Sequence, residues 1–216
     1  SGRAAVAIAV RMAEDGIITR EEALMRIDPR ALNELLHRQV DPEAPRDILA
    51  RGIAASPGAA SGKVVFSAAE AQAAAARGEA CVLVRRETSS EDIRGMHAAR
   101  AILTERGGIT SHAAVIGRGI GLPCVVGASE ISFHARRKHL VMPGGRVVKA
   151  GETITIDGTN GLVLAGEAPL LEAARDEAFQ TLMSWADETR DIAVRANADT
   201  PADAELARNF NARGIG

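Results

Sequence analysis

Glycine cuts the middle of this chain into pieces too short to be anything but a finely interleaved α/β unit. Between Gly52 and Leu164 the apolar runs Cys81-Val82-Leu83-Val84, Ala101-Ile102-Leu103 and Cys124-Val125-Val126 are separated by glycines, charged turns and alanine-rich stretches. Brief runs of this kind, bounded by turn signals, read as buried strands. Lys63-Val64-Val65-Phe66 reads as a further strand and Ala68–Ala76 as a short helix stopped by Gly78. Ser89 and Ser90 cap a helix through Met96, and a helix from about His112 to Arg118 ends at Gly119. After Gly144-Gly145 the strands Arg146-Val147-Val148, Thr153–Ile156 and Leu162-Val163-Leu164 read as a meander or small barrel-like β segment.

The flanks have a different texture. Ala4–Glu14 carries an apolar stripe, Val6, Ala9, Val10 and Ala13, and Gly16 ends it. Thr19 and Glu22 form a capping box, and Asp28-Pro29 starts a helix that runs to about His37. Asp41–Asp47, with two prolines, reads as a linker. Pro169 to about Arg190 reads as one long helix with Leu171, Ala174, Ala178, Leu182 and Trp185 on one stripe, and Ile192-Ala193-Val194 as a strand. Thr200-Pro201 opens a last helix before Gly214-Ile215, the beginning of a βαβ pattern. The expected fold class is mixed α/β. Its expected segments are a helical linker over 1–50, a compact β/α domain over 51–166, a connecting helix over 167–191 and the start of a barrel over 192–216. Both ends read as cuts through a longer polypeptide.

Composition excludes several classes of function. A net charge of −2 and 2% aromatic residues give no basic footprint and no stacking platform for nucleic acid. No apolar run approaches the roughly 20 residues of a membrane-spanning helix. Cys81 and Cys124 both sit in apolar runs and read as reduced core thiols of a cytoplasmic protein.

Chemistry concentrates in Thr104-Glu105-Arg106-Gly107-Gly108-Ile109-Thr110-Ser111-His112-Ala113-Ala114. The glycine pair lets backbone approach a ligand closely. Thr110 and Ser111 are helix-capping residues, which puts His112 in a first turn. The amides of that turn have no partners inside the helix and favour an anion. A neutral ring nitrogen placed there can attack phosphorus and leave the phosphoryl group against Gly107, Gly108, Ser111 and Arg106. From the residues alone, a structural cap stays open as the other reading of His112. His97, His134 and His139 show no ligand spacing, and Arg136-Arg137-Lys138 reads as a solvated turn.

The run Gly107–Gly119 strongly resembles the phosphohistidine signature of the phosphoenolpyruvate-utilising enzymes: the pyruvate, phosphate dikinases, the phosphoenolpyruvate synthases and enzyme I of the sugar phosphotransferase system. Glu87–Met96 and Val194–Pro201 resemble the dikinases, as does Glu14–Ala23. Gly121-Leu122-Pro123-Cys124-Val125 departs from the dikinase pattern and resembles the other two groups. The resemblance implies that His112 carries a phosphoryl group between a nucleotide-binding domain and a pyruvate-binding barrel of the same polypeptide by swivelling of the central domain. Asp41–Asp47 and Ala165–Pro169 are its candidate hinges, with a static linker as the other reading of each. It implies the substrates ATP, phosphate and pyruvate, and Mg2+ held by residues outside this chain with none bound here. It also implies a homodimer and a regulatory kinase and phosphatase acting at Thr110. A synthase using water as acceptor and a stand-alone phosphocarrier are the alternatives.

Overall fold

The structure, a computed structural model, describes residues 2–173, 177–198, 200–209 and 212–215. It divides into two compact units, one running from Pro29 to Ala174 and one joining Arg3–Asp28 to Arg175–Gly216.

The first unit is built on an eight-stranded sheet. Its strands, numbered along the chain, are β1 Ile48–Arg51, β2 Ile53–Ser56, β3 Ala59–Val65, β4 Cys81–Arg85, β5 Ala101–Thr104, β6 Cys124–Val126, β7 Thr153–Asp157 and β8 Leu162–Ala165. They lie in the order β1-β8-β7-β3-β4-β5-β6-β2. The pairs β3·β4, β4·β5 and β5·β6 are parallel and the rest antiparallel. The parallel steps are made through helices α1 Ala68–Ala76, α2 Ile93–Ala98 and α3 His112–Ile120. Parallel neighbours need such crossovers.

Side chains alternate across the sheet, as the pleat requires. Cys81, Leu83, Ile102, Cys124 and Val126 pack on one face with Met96, Ala71, Ala113 and Ala114 of the helices. Val82, Val84, Leu103 and Val125 pack on the other with Phe133, Leu140 and Val148. That second face is covered by a small antiparallel sheet of Ser132–His134, His139–Val141 and Val147–Lys149. The expected meander is therefore divided: 147–149 belongs to the small sheet, while β7 and β8 extend the large one. Two strands next to Gly52, β1 and β2, and two around the Arg136-Arg137-Lys138 turn are additions to the strands expected from the sequence. In that turn Lys138 takes φ +48° and its Nζ pairs with Glu70 at 2.7 Å.

The expected boundary at residues 50 and 51 falls inside β1, which pairs with β8. The long helix expected from Pro169 is also shorter. Leu170–Leu171 form a strand antiparallel to Gln39–Val40, the helix is Glu177–Thr189, and Ala174 lies outside the described residues. Two adjacent leucines suit a ribbon as well as a helix, because in a strand their side chains point to opposite faces.

In the second unit, helix Gly2–Glu14 buries Val6, Ala9 and Val10. Helix Arg20–Met25 carries the expected Thr19/Glu22 capping box. Helix Glu177–Thr189 buries Phe179, Leu182 and Trp185, with the Arg20 guanidinium 5.3 Å from the Trp185 ring centroid. Arg195–Ala196 pairs in parallel with Gly214–Ile215 around helix Pro201–Asn209. The βαβ pattern is present, with its first strand just beyond Ile192–Val194.

Two helical glycines make opposite predictions. A Cβ on Gly95 of α2 would lie 2.5 Å from Ala68 Cα at the start of α1, whereas one on Gly119 of α3 would meet nothing within 4 Å. Gly95→Ala should lower the unfolding free energy by about 2–3 kcal/mol through overpacking. Gly119→Ala should raise it by about 0.5 kcal/mol through helix propensity. Urea unfolding of both variants checks the pair; equal effects would contradict the α1–α2 contact.

The thiols make another. Burial pushes the Cys124 thiol up to about 12, against an opposing pull from Arg118. Burial likewise raises Cys81, opposed by Arg100. An unfolded thiol ionises near about 8.5. Above that pH the folded state keeps a proton that the unfolded state loses. The thiol contribution is then intact at lower pH and lost as pH rises toward the folded value, by about 1.4 kcal/mol per pH unit for each group. Cys124→Ala should flatten the fall in stability between about pH 9 and pH 10.5. A slope identical to that of the unsubstituted chain would mean that Cys124 ionises freely in the fold.

Candidate functional site

The loop between β5 and α3 is fixed before it reaches His112. Thr104, the last residue of β5, is fully buried, and its Oγ1 donates to the Arg106 carbonyl at 2.7 Å. Its own carbonyl accepts from Ala128 N–H at 3.0 Å. Glu105 and Arg106 continue the pairing with the chain beyond β4, their N–H groups donating to Arg85 O at 3.1 Å and Arg86 O at 2.8 Å. The two loops at the carboxyl ends of β4 and β5 are thereby laid side by side.

Gly107 then turns with φ +112°, and a Cβ on it would meet Ser111 Cβ at 3.0 Å. Its carbonyl is seated on Gly127, where a Cβ would stand only 2.5 Å from Gly107 O. Both positions require glycine for space as well as conformation. Gly108 has neither a positive φ nor a near neighbour, so nothing in its surroundings demands glycine. Its carbonyl accepts from Ser111 N–H at 3.0 Å and closes the turn.

Ser111 is the N-cap: its backbone is extended (φ −65°, ψ 159°) and its Oγ accepts from Ala114 N–H at 3.4 Å. Thr110, the other capping candidate, is exposed in the loop. His112 is the first residue of α3, as expected, and it is half-buried. Its Nε2 is buried with no hydrogen-bond partner among the described residues. An unpaired buried nitrogen costs about 1–3 kcal/mol, so this ring is held in place by its surroundings rather than by a bond at that atom. Arg106 is exposed, and Ile109 and Val115 flank the site with 60% and 51% of their surface open. The helix ends at Gly121, in the left-handed region at φ +68°, two residues beyond the expected Gly119. Gly119 needs no special conformation and continues the helix.

The contacts of several residues of the site are not legible in the motifs that contain them. Arg118, expected to be a helix-end charge or docking contact, donates to the carbonyls of Ala55 at 3.0 Å and Ile109 at 2.8 Å. Asp92 is buried and accepts from Ser89 N–H at 3.0 Å and from Arg85, whose guanidinium also donates to Phe66 O at 3.0 Å. This ties down the loop after β4. On the same loop Thr88 is buried, its hydroxyl without a partner among the described residues. A threonine closing an apolar strand, as Thr104 does, was the one available hint. Among the described residues no group of three or more His, Cys, Asp and Glu is placed to hold a metal ion, and no helix is long and apolar enough to cross a membrane.

Residues 78–161, from the end of α1 to the β7–β8 turn, match the mobile domain of the PEP-utilising enzymes. The chain is 52% identical over 216 residues to a pyruvate, phosphate dikinase of Rhizobium meliloti (strain 1021), covering all of this chain and 24% of that protein. It is 47% identical over 213 residues to that of Rickettsia typhi, again 24% of its length. To pyruvate, phosphate dikinase 2 of Zea mays it is 48% identical over 218 residues, 25% of its length. Among solved structures, one of enzyme I is similar to 51% of this chain and 36% of its own at 25% identity, with a TM-score of 0.31, too slight a likeness for the fold to be argued from it. The full-length matches, together with the mobile-domain segment that contains His112, place this chain in the pyruvate, phosphate dikinase family of PEP-utilising enzymes, of whose members it spans about a quarter.

Proposed function

We propose that His112 is the residue that carries a phosphoryl group, and that this chain acts as the carrier segment of a dikinase interconverting ATP, phosphate and pyruvate with AMP, pyrophosphate and phosphoenolpyruvate. The observation that carries the reading is the position of His112. It is the first residue of a nine-residue helix, behind a loop whose backbone is bonded at both ends, beside first-turn amides open to an anion.

A ring nitrogen attacks the phosphorus of the donor. The P–N bond forms while the P–O bond to the donor breaks, and its electron pair leaves on the donor oxygen. The second ring nitrogen keeps its proton. Nε2 is covered in the present arrangement, so for that nitrogen to react the ring turns about its side-chain torsions to another staggered position. The phosphoryl oxygens then meet the amides of the helix start and the Gly107-Gly108 loop, with Ser111 and the exposed Arg106 at its edge. Dipoles already in place for a charge that arrives later lower the barrier without reorganisation.

In this reading ATP pyrophosphorylates His112 at a nucleotide-binding domain, phosphate removes one phosphoryl group as pyrophosphate, and pyruvate receives the other in a barrel. Both are domains of the longer polypeptide, as is the homodimer interface. Magnesium would supply charge neutralisation on the phosphates through ligands outside this chain. Two buried free cysteines suit a reducing compartment, the cytoplasm.

The test is intact-protein mass spectrometry at alkaline pH on the full polypeptide incubated with phosphoenolpyruvate and magnesium, beside His112→Ala. One acid-labile phosphoryl group should appear on the unsubstituted protein and none on the variant. Equal gain by both, or no gain by either, removes His112 from the role.

Thr110 is proposed as the regulatory site. It is exposed two residues before His112, where a phosphate would set negative charge against an incoming phosphoryl group. Thr110→Val should still phosphorylate at His112 and should no longer lose activity on treatment with the regulatory kinase. Inactivation of the variant to the same extent would place the modification elsewhere.

A further inference from the structure

The proposed phosphoryl chemistry requires loop amides that hold their direction, and a single side chain spans the distance between that loop and the sheet. Arg118 lies in α3, six residues after His112. That places it roughly 9 Å along the helix axis from His112 and about 120° around it. Its Cα is therefore on another side of the helix from that of His112, and its side chain reaches back along the helix to the loop. Its Nη1 donates to Ala55 O at 3.0 Å and its Nη2 to Ile109 O at 2.8 Å. Ala55 is buried in β2, which pairs with β6 at the sheet edge, while Ile109 is 60% exposed in the glycine loop. One planar guanidinium thus joins the carbonyl of a buried residue at an irregularity of the edge strand to a loop carbonyl. Neither of its two bonds goes to a carboxylate.

The Ile109 carbonyl belongs to the same peptide plane as Thr110 N–H. In a trans peptide the two point opposite ways, and no cis bond occurs in the chain. Holding Ile109 O toward Arg118 turns Thr110 N–H away from Arg118. That is the sense in which the first-turn amides of a helix point beyond its N-terminus. Without the tie, the peptide between Ile109 and Thr110 is held only through the Gly108–Ser111 turn, and the glycine pair before it resists rotation least.

We propose that Arg118 is a positioning residue for phosphoryl transfer at His112. It binds the carbonyls of Ala55 and Ile109 together and so fixes the Ile109–Thr110 peptide with its N–H presented to the phosphoryl group. The inference rests on the carrier role of His112 and adds what orients the cradle. Lysine cannot replace arginine here, because a single ammonium lacks the planar fork that meets two carbonyls at once.

The experiment is single-turnover phosphorylation of His112 by phosphoenolpyruvate and magnesium in the full polypeptide, followed by mass spectrometry. It compares the unsubstituted protein, Arg118→Met, Arg118→Lys and His112→Ala. Loss of the tie should slow the transfer step of Arg118→Met roughly 30- to 100-fold, the scale of a small misplacement of reacting groups. The donor concentration giving half-maximal rate should change less than about threefold, since the donor is bound outside the loop. Millimolar methylguanidinium should restore part of the rate to Arg118→Met and none to His112→Ala. A transfer rate in Arg118→Met equal to that of the unsubstituted protein overturns the positioning role and leaves the carrier role standing. Absence of phosphoryl gain on the unsubstituted protein removes the carrier role itself and the positioning role with it. If Arg118→Met does not fold, Arg118→Lys decides: full rate overturns the proposal, and a slowed transfer step at unchanged half-saturation sustains it.

Discussion

Parallel pairing of β4 with β5 is the constraint on which the site depends. Two parallel neighbours end at the same edge of a sheet, so the loops that leave them are neighbours whatever their sequences. Here the pairing does not stop where the strands do. Glu105 N–H and Arg106 N–H still donate to Arg85 O and Arg86 O, and this carries the ladder into the glycine loop. The loop therefore begins from a fixed direction, and the turn at Gly107 and the cap at Ser111 complete a path with little freedom left. His112 stands at the sheet edge because the crossover helix α3 has to start there. Ligand sites of open α/β sheets gather at the carboxyl ends of parallel strands for the same reason.

Polar groups inside this edge are used to set backbone rather than to do chemistry. Thr104 is fully buried and spends its hydroxyl on a carbonyl two residues on. Asp92 is buried and divides its carboxylate between the Ser89 amide and Arg85. At the opposite edge of the sheet Asp157, at the end of β7, serves the same purpose: it accepts from both the N–H and the side-chain amide of Asn160, at 3.0 and 2.8 Å, and so shapes the β7–β8 turn. Each is a satisfied buried polar group, and removing one partner would leave the other unpaired at a cost of about 1–3 kcal/mol. Against that pattern the Nε2 of His112 and the hydroxyl of Thr88 on the neighbouring loop are buried without a partner among the described residues.

The legible part of the sequence was the part governed by local rules. The strands at Cys81, Ala101 and Cys124, the helix Ala68–Ala76, the Thr19 capping box and the position of His112 all follow from apolar runs, caps and turn residues within a few positions of one another. The strands β1 and β2 were not legible, since Ile48–Arg51 and Ile53–Ser56 are bridged by one glycine and take their pairing from residues some seventy to over a hundred positions away. Arg118 escaped for a related reason: its two acceptors, at Ala55 and Ile109, are joined only in three dimensions. The helix end at Gly121 rather than Gly119 was a choice between two glycines, and only Gly121 takes the left-handed conformation that stops a helix.

The same distinction bears on how the unit from Pro29 to Ala174 could reorient under the proposed carrier role. Asp41–Asp47 and Ala165–Pro169 read in sequence as two separate hinges, because prolines, acids and glycine break regular structure. In the fold the two stretches are bonded to each other. Asp41 N–H donates to Pro169 O and Ala165 N–H to Asp47 O, each at 2.9 Å, and Gln39–Val40 pairs with Leu170–Leu171 just outside them. Arg146 adds a 2.6 Å ion pair to Asp47, and Thr155 Oγ1 accepts from Ala168 N–H at 2.9 Å. A hinge is a place where a few residues absorb a change in φ and ψ while their surroundings stay packed. Rotation within either stretch would break several of these bonds together. A pivot beyond the Gln39–Val40 and Leu170–Leu171 ribbon would break none of them. The incoming and outgoing chains run side by side through that ribbon, so a unit turning on them would turn about one shared axis rather than two independent ones.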